Sequence, residues 1–137
     1  MLRPAVLDDA LDIYRLRNDK VSRQNSRTQG EFSYSEHQGW FKKRLDCKTG
    51  QFLIVEINDK FAGYVRFDDN VISIALTEEF RGKGLAREII AAAMKETEGE
   101  VFAHIKKSNI SSIKAFEGAG FELTGTDGEF GIYSCRA

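Results

Sequence analysis

Residues 71–105 constrain the fold of this chain more than any other stretch. Residues 71–76 are apolar and predict a strand, and the turn Arg81-Gly82-Lys83-Gly84 follows it. Residues 86–97 then carry apolar side chains at helical spacing, and residues 101–105 predict a second strand. Two strands joined by one helix are expected to be parallel neighbours in one sheet. This part of the chain therefore predicts a strand–helix–strand crossover.

The rest of the chain predicts antiparallel strands and further helices. Strands are expected at residues 2–5, 52–57, 61–67, 121–126 and 130–134, and Asp127-Gly128 between the last two is a hairpin signal. Residues 7–14 predict a helix whose apolar face is Leu7, Ala10, Leu11 and Tyr14. Residues 23–30 are polar and predict a loop, and residues 111–118 predict a short helix. The order β-α-α-β-β-β-α-β-α-β-β predicts an α/β fold, with a mixed, mostly antiparallel sheet and helices on both faces.

Between these elements, Ser33 and Glu36 match a capping box. The box predicts the start of a helix that carries Trp40, Phe41 and Leu45 towards the core.

Composition limits the classes of function. The 137 residues fit one domain, residues 1–137, and the net charge of −1 argues against nucleic-acid binding. No apolar run approaches the length of a membrane span, so we expect no membrane association. Cys47 and Cys135 are the only cysteines, and with the histidines they show no metal-ligand spacing, so we expect no metal and a cytoplasmic protein.

The glycine turn predicts a phosphate site. Gly82 and Gly84 let backbone N–H groups approach a ligand closely, and the following helix begins with unpaired N–H groups and a positive dipole. Arg81, Lys83 and Arg87 add positive charge. The spacing is neither that of a dinucleotide fingerprint nor that of a P-loop, so the turn predicts binding of some other phosphorylated cofactor.

The turn and a second motif together resemble the GNAT superfamily of acetyl-CoA-dependent N-acetyltransferases. Residues 81–86 match the family's Gln/Arg-x-x-Gly-x-Gly/Ala loop, and residues 109–121 match its Asn-x-x-Ser/Ala, aromatic and Gly-Phe signature. The resemblance covers essentially the whole chain and implies acetyl-CoA as cofactor. It implies backbone contacts to the pyrophosphate from the loop and to the amide-rich arm of the cofactor from the preceding strand. The implied cofactor residues are Ile74, Leu76, Arg81, Gly82, Lys83, Gly84, Leu85, Ala86, Arg87, Asn109, Ser112 and Phe116.

One position departs from the family pattern. Many members have Tyr seven residues after the motif Asn, where it protonates the departing thiolate, and this chain has Phe116. Phe cannot supply a proton, so we expect Phe116 to pack and the thiolate to leave unassisted or with another donor. The departure also leaves open a non-catalytic domain that only binds acyl-CoA.

The N-terminal half bears on the acceptor. Residues 16–19 and 36–41, and residues 63–68, are similar to a branch of the superfamily that acetylates nucleotide-linked amino sugars. On this resemblance we expect Arg17, Trp40 and Arg66 to bind a small-molecule amine of that kind. Acetylation of peptide N-termini remains the alternative, and a homodimer is compatible with the sequence.

Three residues are candidates for catalysis. His37 has the pKa expected of a base near neutrality and would act as base or substrate ligand. Glu56 lies in an apolar run, and Ser73 in the strand before the loop could relay a proton. His104 alternates with Phe102 on a strand and is expected to be structural.

Overall fold

The computed structural model of the protein describes residues 1–26, 33–46 and 50–137. Within these residues, seven strands form one sheet, in the order β1-β2-β3-β4-β5-β7-β6. The elements are β1 (Leu2–Pro4), α1 (Ala10–Arg17), α2 (Lys20–Gln24), α3 (Tyr34–Leu45), β2 (Gly50–Ile57), β3 (Lys60–Asp68), β4 (Val71–Leu76), α4 (Leu85–Met94), β5 (Glu100–Lys106), α5 (Ile110–Gly118), β6 (Glu122–Asp127) and β7 (Phe130–Arg136). The α/β class and the mixed sheet are as predicted.

Each face of the sheet packs against its own pair of helices. On one face, side chains of α4 and α5 such as Ile90 and Phe116 join a core with Val65 of β3. On the other face, α1 and α3 form a second core with Phe52, Ile54 and Tyr64, which come from β2 and β3. Alternate residues of the central strands therefore belong to different cores, because successive side chains of a strand point to opposite faces.

Strands β4 and β5 are parallel, as predicted, but they separate almost at once. Both strands lie wholly in the described part of the chain, and only one position is paired there, Val71 with Phe102. The Phe102 N–H donates to the carbonyl oxygen of Asn70 at 2.8 Å. Beyond this point the sheet opens into a cleft between β4 and β5.

The hydrogen bonds of β4 alternate between its two neighbours. The Thr77 N–H donates to the Ala62 carbonyl on the β3 side. Because antiparallel pairs alternate, the N–H and C=O groups of Ile74 and Leu76 are directed away from β3. Gly63 keeps β3 and β4 close at this end, since a Cβ atom there would overlap the carbonyl oxygen of Ala75. Strand β4 is thereby held with the N–H and C=O groups of Ile74 and Leu76 facing the cleft.

Two local predictions about the N-terminal segment are wrong. Residues 7–9 form a 3-10 turn and α1 begins only at Ala10, so its buried face is Ala10, Ile13 and Leu16 while Leu7 and Leu11 are exposed. Of the predicted loop at residues 23–30, Arg23 and Gln24 are helical because Asp19 caps α2, accepting from the N–H groups of Val21 and Ser22. Residues 27–30 lie outside the described part. The capping box of Ser33 and Glu36 is confirmed.

Candidate functional site

The glycine loop joins the cleft to the N-terminus of α4. Gly82 and Gly84 have φ of 71° and 73°, which glycine adopts without strain, and Gly84 is the N-cap residue of α4. A Cβ atom built on either glycine meets no protein atom within 4 Å. The loop backbone therefore faces open space beside the unpaired N–H groups of the first helical turn, an arrangement that can bind a phosphate group.

The three cations of the loop do not act together as the sequence suggested. The Arg81 guanidinium is engaged elsewhere, since its Nη2 donates to Asp19 Oδ1 at 2.7 Å. The Arg87 side chain lies across α5, where a Cβ atom at Gly118 would be 2.9 Å from Arg87 Cδ. Lys83 Nζ lies 5.8 Å from the centre of the Phe80 ring. An anion in this loop would therefore depend mainly on backbone N–H groups.

Helix α2 is attached to both sides of the cleft. Asp19, at its N-terminus, pairs with Arg81 after β4, and the Gln24 carbonyl, at its C-terminus, accepts from Lys106 Nζ at the end of β5 at 2.8 Å. No role for Asp19 or Lys106 as an individual residue is predicted from the sequence. Asp19, a favoured N-cap residue, was the local signal that could have identified the start of α2.

The second motif combines a helix cap with core packing. Asn109 is the N-cap of α5, and its Oδ1 accepts from the Ser112 N–H at 3.4 Å and from the Ser111 hydroxyl at 3.3 Å. The Nδ2 group of Asn109 takes no part in these two cap interactions. Contact of Asn109 or Ser112 with the cofactor arm stays a prediction.

Phe116 lies in the core. Its side chain is 2% exposed and packs edge-to-face on Phe121, with ring centroids 5.0 Å apart. A ring in this position agrees with a packing role and argues against direct contact with the cofactor.

Replacing Phe116 tests this role. Phe116→Leu should lower the free energy of unfolding by about 1–3 kcal/mol, because a buried aromatic contact is lost. Turnover per folded molecule should fall much less. Phe116→Tyr should leave kcat within about tenfold, equivalent to about 1.4 kcal/mol of barrier. Denaturation curves and steady-state rates measure both; a much larger gain in kcat for Phe116→Tyr would show that thiolate protonation limits the reaction.

The three residues predicted to bind the acceptor lie together. The Arg17 guanidinium of α1 lies 3.6 Å from the centre of the Trp40 ring of α3, and the Arg66 guanidinium of β3 lies 5.1 Å from the same ring. Arg66 also pairs with Asp68, which contacts Arg44 as well. We call Arg17, Trp40 and Arg66 the arginine–tryptophan cluster.

Positive charge in the cluster is partly removed from water. The pKa of Arg17 is lowered to about 10, mainly by burial; Tyr64 opposes this shift and the neighbouring Arg66 adds to it. Burial also lowers the pKa of Arg66. Both groups remain protonated at neutral pH, so the cluster holds two desolvated cations against one aromatic ring. A guanidinium group can bind an anionic group through paired donors.

Ser73 extends the cluster towards the cleft. It pairs with Arg66 across the β3–β4 ladder, so the two side chains share a sheet face. Tyr64 lies on the same face beside Ala75, and burial raises the pKa of its hydroxyl, which therefore remains a donor at neutral pH. Alternation along residues 64–66 was the signal that could have placed Tyr64 with Arg66.

The role predicted for His37 as a base does not fit its surroundings. The ring is fully buried in the helical layer, with Nε2 donating to the Ala10 carbonyl at 2.9 Å and Nδ1 accepting from Arg17 Nη1 at 3.0 Å. A carbonyl only accepts and a guanidinium only donates, so the neutral tautomer is fixed, and its acceptor nitrogen Nδ1 is engaged by Arg17 rather than open to a substrate amine. The burial that encloses the ring also excludes direct contact with a ligand.

Glu56 likewise does not lie at the site. It is on β2, two strands away from β4, and its Oε1 pairs with Arg3 Nε at 3.1 Å beside a bulge after Val55. The ion pair at the sheet edge explains a carboxylate in an apolar run. Of the three catalytic candidates, only Ser73 lies beside the cleft.

Two further observations limit the site. Within residues 1–26, 33–46 and 50–137, no three His, Cys, Asp or Glu side chains are grouped as metal ligands. In the same residues, no helix combines the length and apolar character that a membrane crossing requires.

Comparisons with known proteins agree with this geometry. Residues 1–122 match the sequence model of a family described as Acetyltransferase (GNAT) domain. No curated protein sequence matches the chain.

Several solved structures share the fold. A spermidine N-acetyltransferase from Vibrio cholerae, in complex with CoA and spermine, has 18% identity and a TM-score of 0.89, covering 99% of this chain and 94% of that one. A domain from Methanocaldococcus jannaschii has 22% identity and a TM-score of 0.86 over 100% and 97%. An aminoglycoside acetyltransferase, AAC(6')-Ib in complex with coenzyme A, has 18% identity and a TM-score of 0.79 over 99% and 94%. At these identities the likeness establishes the fold and does not identify an acceptor.

Proposed function

We propose that this chain, which belongs to the GNAT acetyltransferase family, moves an acetyl group from acetyl-CoA to the primary amine of a nucleotide-linked amino sugar. The family establishes acetyl-CoA-dependent N-acetyl transfer. The acceptor is our inference, and two of the related structures named above do not support it, since they are a spermidine N-acetyltransferase and an aminoglycoside acetyltransferase. It rests on one observation: the half-buried guanidinium groups of Arg17 and Arg66 lie 3.6 Å and 5.1 Å from the centre of the Trp40 ring, and Arg66 pairs with Ser73 of β4.

The cofactor end of the site fits acetyl-CoA. The open backbone around Gly82 and Gly84 suits the pyrophosphate. The N–H and C=O groups of Ile74 and Leu76 suit the amides of the cofactor arm, which would pair with β4 like an added strand. When bound, acetyl-CoA supplies the activated acetyl group.

The acceptor end favours an anion that carries an amine. Arginine binds phosphate through paired donors, and an aromatic ring offers a surface on which a nucleobase can stack. A polyamine would bring additional positive charge against Arg17 and Arg66, whose own charges are already desolvated. The cluster therefore favours a diphosphate-bearing acceptor over a polycation.

In this proposal the proton of the acceptor amine is removed without a histidine. An amine must be neutral to attack, and the amine of a sugar has a moderate pKa, so water can accept its proton near neutrality. In this proposal the Ser73 hydroxyl accepts a hydrogen bond from that amine and passes the proton to water. Because Phe116 has no proton to donate, the thiolate leaves without help from that position.

An acceptor screen with thiol release as readout tests the proposal. We expect nucleotide-linked amino sugars to release CoA thiol from acetyl-CoA much faster than spermidine or peptides with free N-termini. Peptides as the best acceptors would favour the N-terminal acetyltransferase alternative. Binding of acetyl-CoA without thiol release for any amine would instead indicate a regulatory acyl-CoA-binding domain.

A further inference from the structure

The geometry assigns His37 a role that is not catalytic: we propose that its neutral ring positions Arg17 over Trp40, so that protonation of His37 weakens binding of an anionic acceptor. The inference rests on the proposed function, because it concerns the same acceptor site. It makes His37 a positioning residue that acts only through Arg17.

The contacts of the ring carry the first step. The Ala10 carbonyl accepts from Nε2, which anchors the ring to α1 at one end. Nδ1 then points at Arg17 and accepts from its Nη1 at 3.0 Å. The same guanidinium lies 3.6 Å from the centre of Trp40. His37 therefore helps to hold Arg17 flat against the aromatic ring.

The packing of the ring makes this arrangement rigid. His37 stacks on Phe41 with an interplanar angle of 8° and a centroid distance of 5.9 Å, and it contacts Tyr14 at 5.3 Å. A fully buried ring enclosed by aromatic side chains has little freedom to rotate. The direction of Nδ1 is therefore fixed by the core.

Protonation would reverse the interaction with Arg17. A protonated ring has an N–H at both nitrogens, so Nδ1 would present a donor and a positive charge to a guanidinium. Burial lowers the pKa of His37, and Arg17 lowers it further, although the hydrogen bond to Ala10 opposes the shift. The ring is thus neutral at neutral pH and takes a proton only in more acidic solution than an ordinary histidine does.

The surroundings of His37 offer a protonated ring no carboxylate contact among the described residues. The charged or titratable groups that face it there are Arg17 and Tyr14 from α1, Tyr34 from α3 and, through the Trp40 ring, Arg66 from β3. The two cations both oppose protonation. We therefore expect protonation of His37 to displace the Arg17 guanidinium from the Trp40 ring.

Calorimetric titration of a nucleotide sugar into the CoA-saturated protein tests this inference. The probe is UDP-N-acetylglucosamine, which has no free amine and whose diphosphate does not titrate near neutrality. Saturating CoA keeps the probe out of the glycine loop. For the wild type, we expect the Kd of the probe to rise at least about threefold between pH 7.5 and pH 5.

Two substitutions separate His37 from other titrating groups. The amide of His37→Gln can still donate to Ala10 and accept from Arg17 but does not titrate, so its Kd at pH 7.5 should stay within about threefold of wild type and the acid rise should disappear. His104→Gln removes the only other histidine in the chain and should keep the acid rise. If His37→Gln does not fold, Arg17→Gln replaces it and should bind the probe weakly with no acid dependence.

The outcomes distinguish the two proposals. A wild-type Kd that is constant with pH, or an acid rise that persists in His37→Gln or in Arg17→Gln, would overturn the positioning role. Absence of probe binding at every pH would instead contradict the proposal that the acceptor is a nucleotide-linked amino sugar.

Discussion

Gly84→Val should weaken acetyl-CoA binding by at least about a hundredfold, equivalent to about 2.8 kcal/mol, in a domain that still folds. Gly84 has a φ of 73°, and a β-branched residue there costs about 1–3 kcal/mol of strain. A Cβ atom meets no protein atom within 4 Å, so the strain is relieved by a change in the loop rather than by unfolding. The loop N–H groups would then no longer converge on the pyrophosphate.

Calorimetry with acetyl-CoA measures the loss, and circular dichroism checks the fold. Gly125→Val is the matched control, since a Cβ atom at Gly125 of β6 also meets nothing within 4 Å and its φ is not positive. Gly84→Asn should retain more affinity than Gly84→Val, because Asn tolerates a positive φ. Unchanged acetyl-CoA affinity in folded Gly84→Val would refute the placement of the cofactor in this loop.

Arg17→Gln should raise the KM of the acceptor by about a hundredfold and leave the KM of acetyl-CoA within about threefold. Removing one desolvated cation from an anion site typically costs about 2–5 kcal/mol of binding. Arg17 contacts Trp40 and His37, whereas the glycine loop lies at the start of α4. The effect should therefore be confined to one substrate.

Steady-state kinetics of Arg17→Gln and Arg15→Gln provide the comparison. Arg15 lies on the same helix and is exposed, so its loss changes the charge of the protein equally without touching the cluster. Equal KM values for the two variants would mean that general electrostatics, and not the arginine–tryptophan cluster, attracts the acceptor. A rise in the KM of acetyl-CoA in Arg17→Gln would place Arg17 near the cofactor instead.

The fold was largely predictable because its signals are local. Strand β4 was predicted with its observed bounds, Val71–Leu76, since turn residues precede it and the glycine loop follows it. The capping box of Ser33 and the hairpin at Asp127-Gly128 are also read from adjacent residues. The error in α1 arose because a 3-10 turn precedes Ala10, and a turn of different pitch changes which residues face the core.

The residues of the site were predictable only where a motif or the alternation of a strand determines the position of a side chain. Arg17, Trp40 and Arg66 were expected near one ligand and do lie together, although contact with an acceptor stays a prediction. The surroundings of His37 come from α1 and the aromatic layer, and the partner of Glu56 is Arg3, far away in sequence. No local pattern encodes such partners, so the chemical role of an isolated histidine or carboxylate could not be derived from its own segment.

Because β4 and β5 separate early, the part of β4 that faces the cleft has unpaired backbone groups, like an edge strand. Without cofactor, the amide hydrogens of Ile74 and Leu76 should exchange rapidly with deuterated water, and acetyl-CoA should slow their exchange. Such an edge is also a template for strand addition by a second chain. Bound cofactor would cover this edge as an added strand of the protein's sheet. When acetyl-CoA is scarce, more of the protein would have the edge exposed and would be more prone to aggregate.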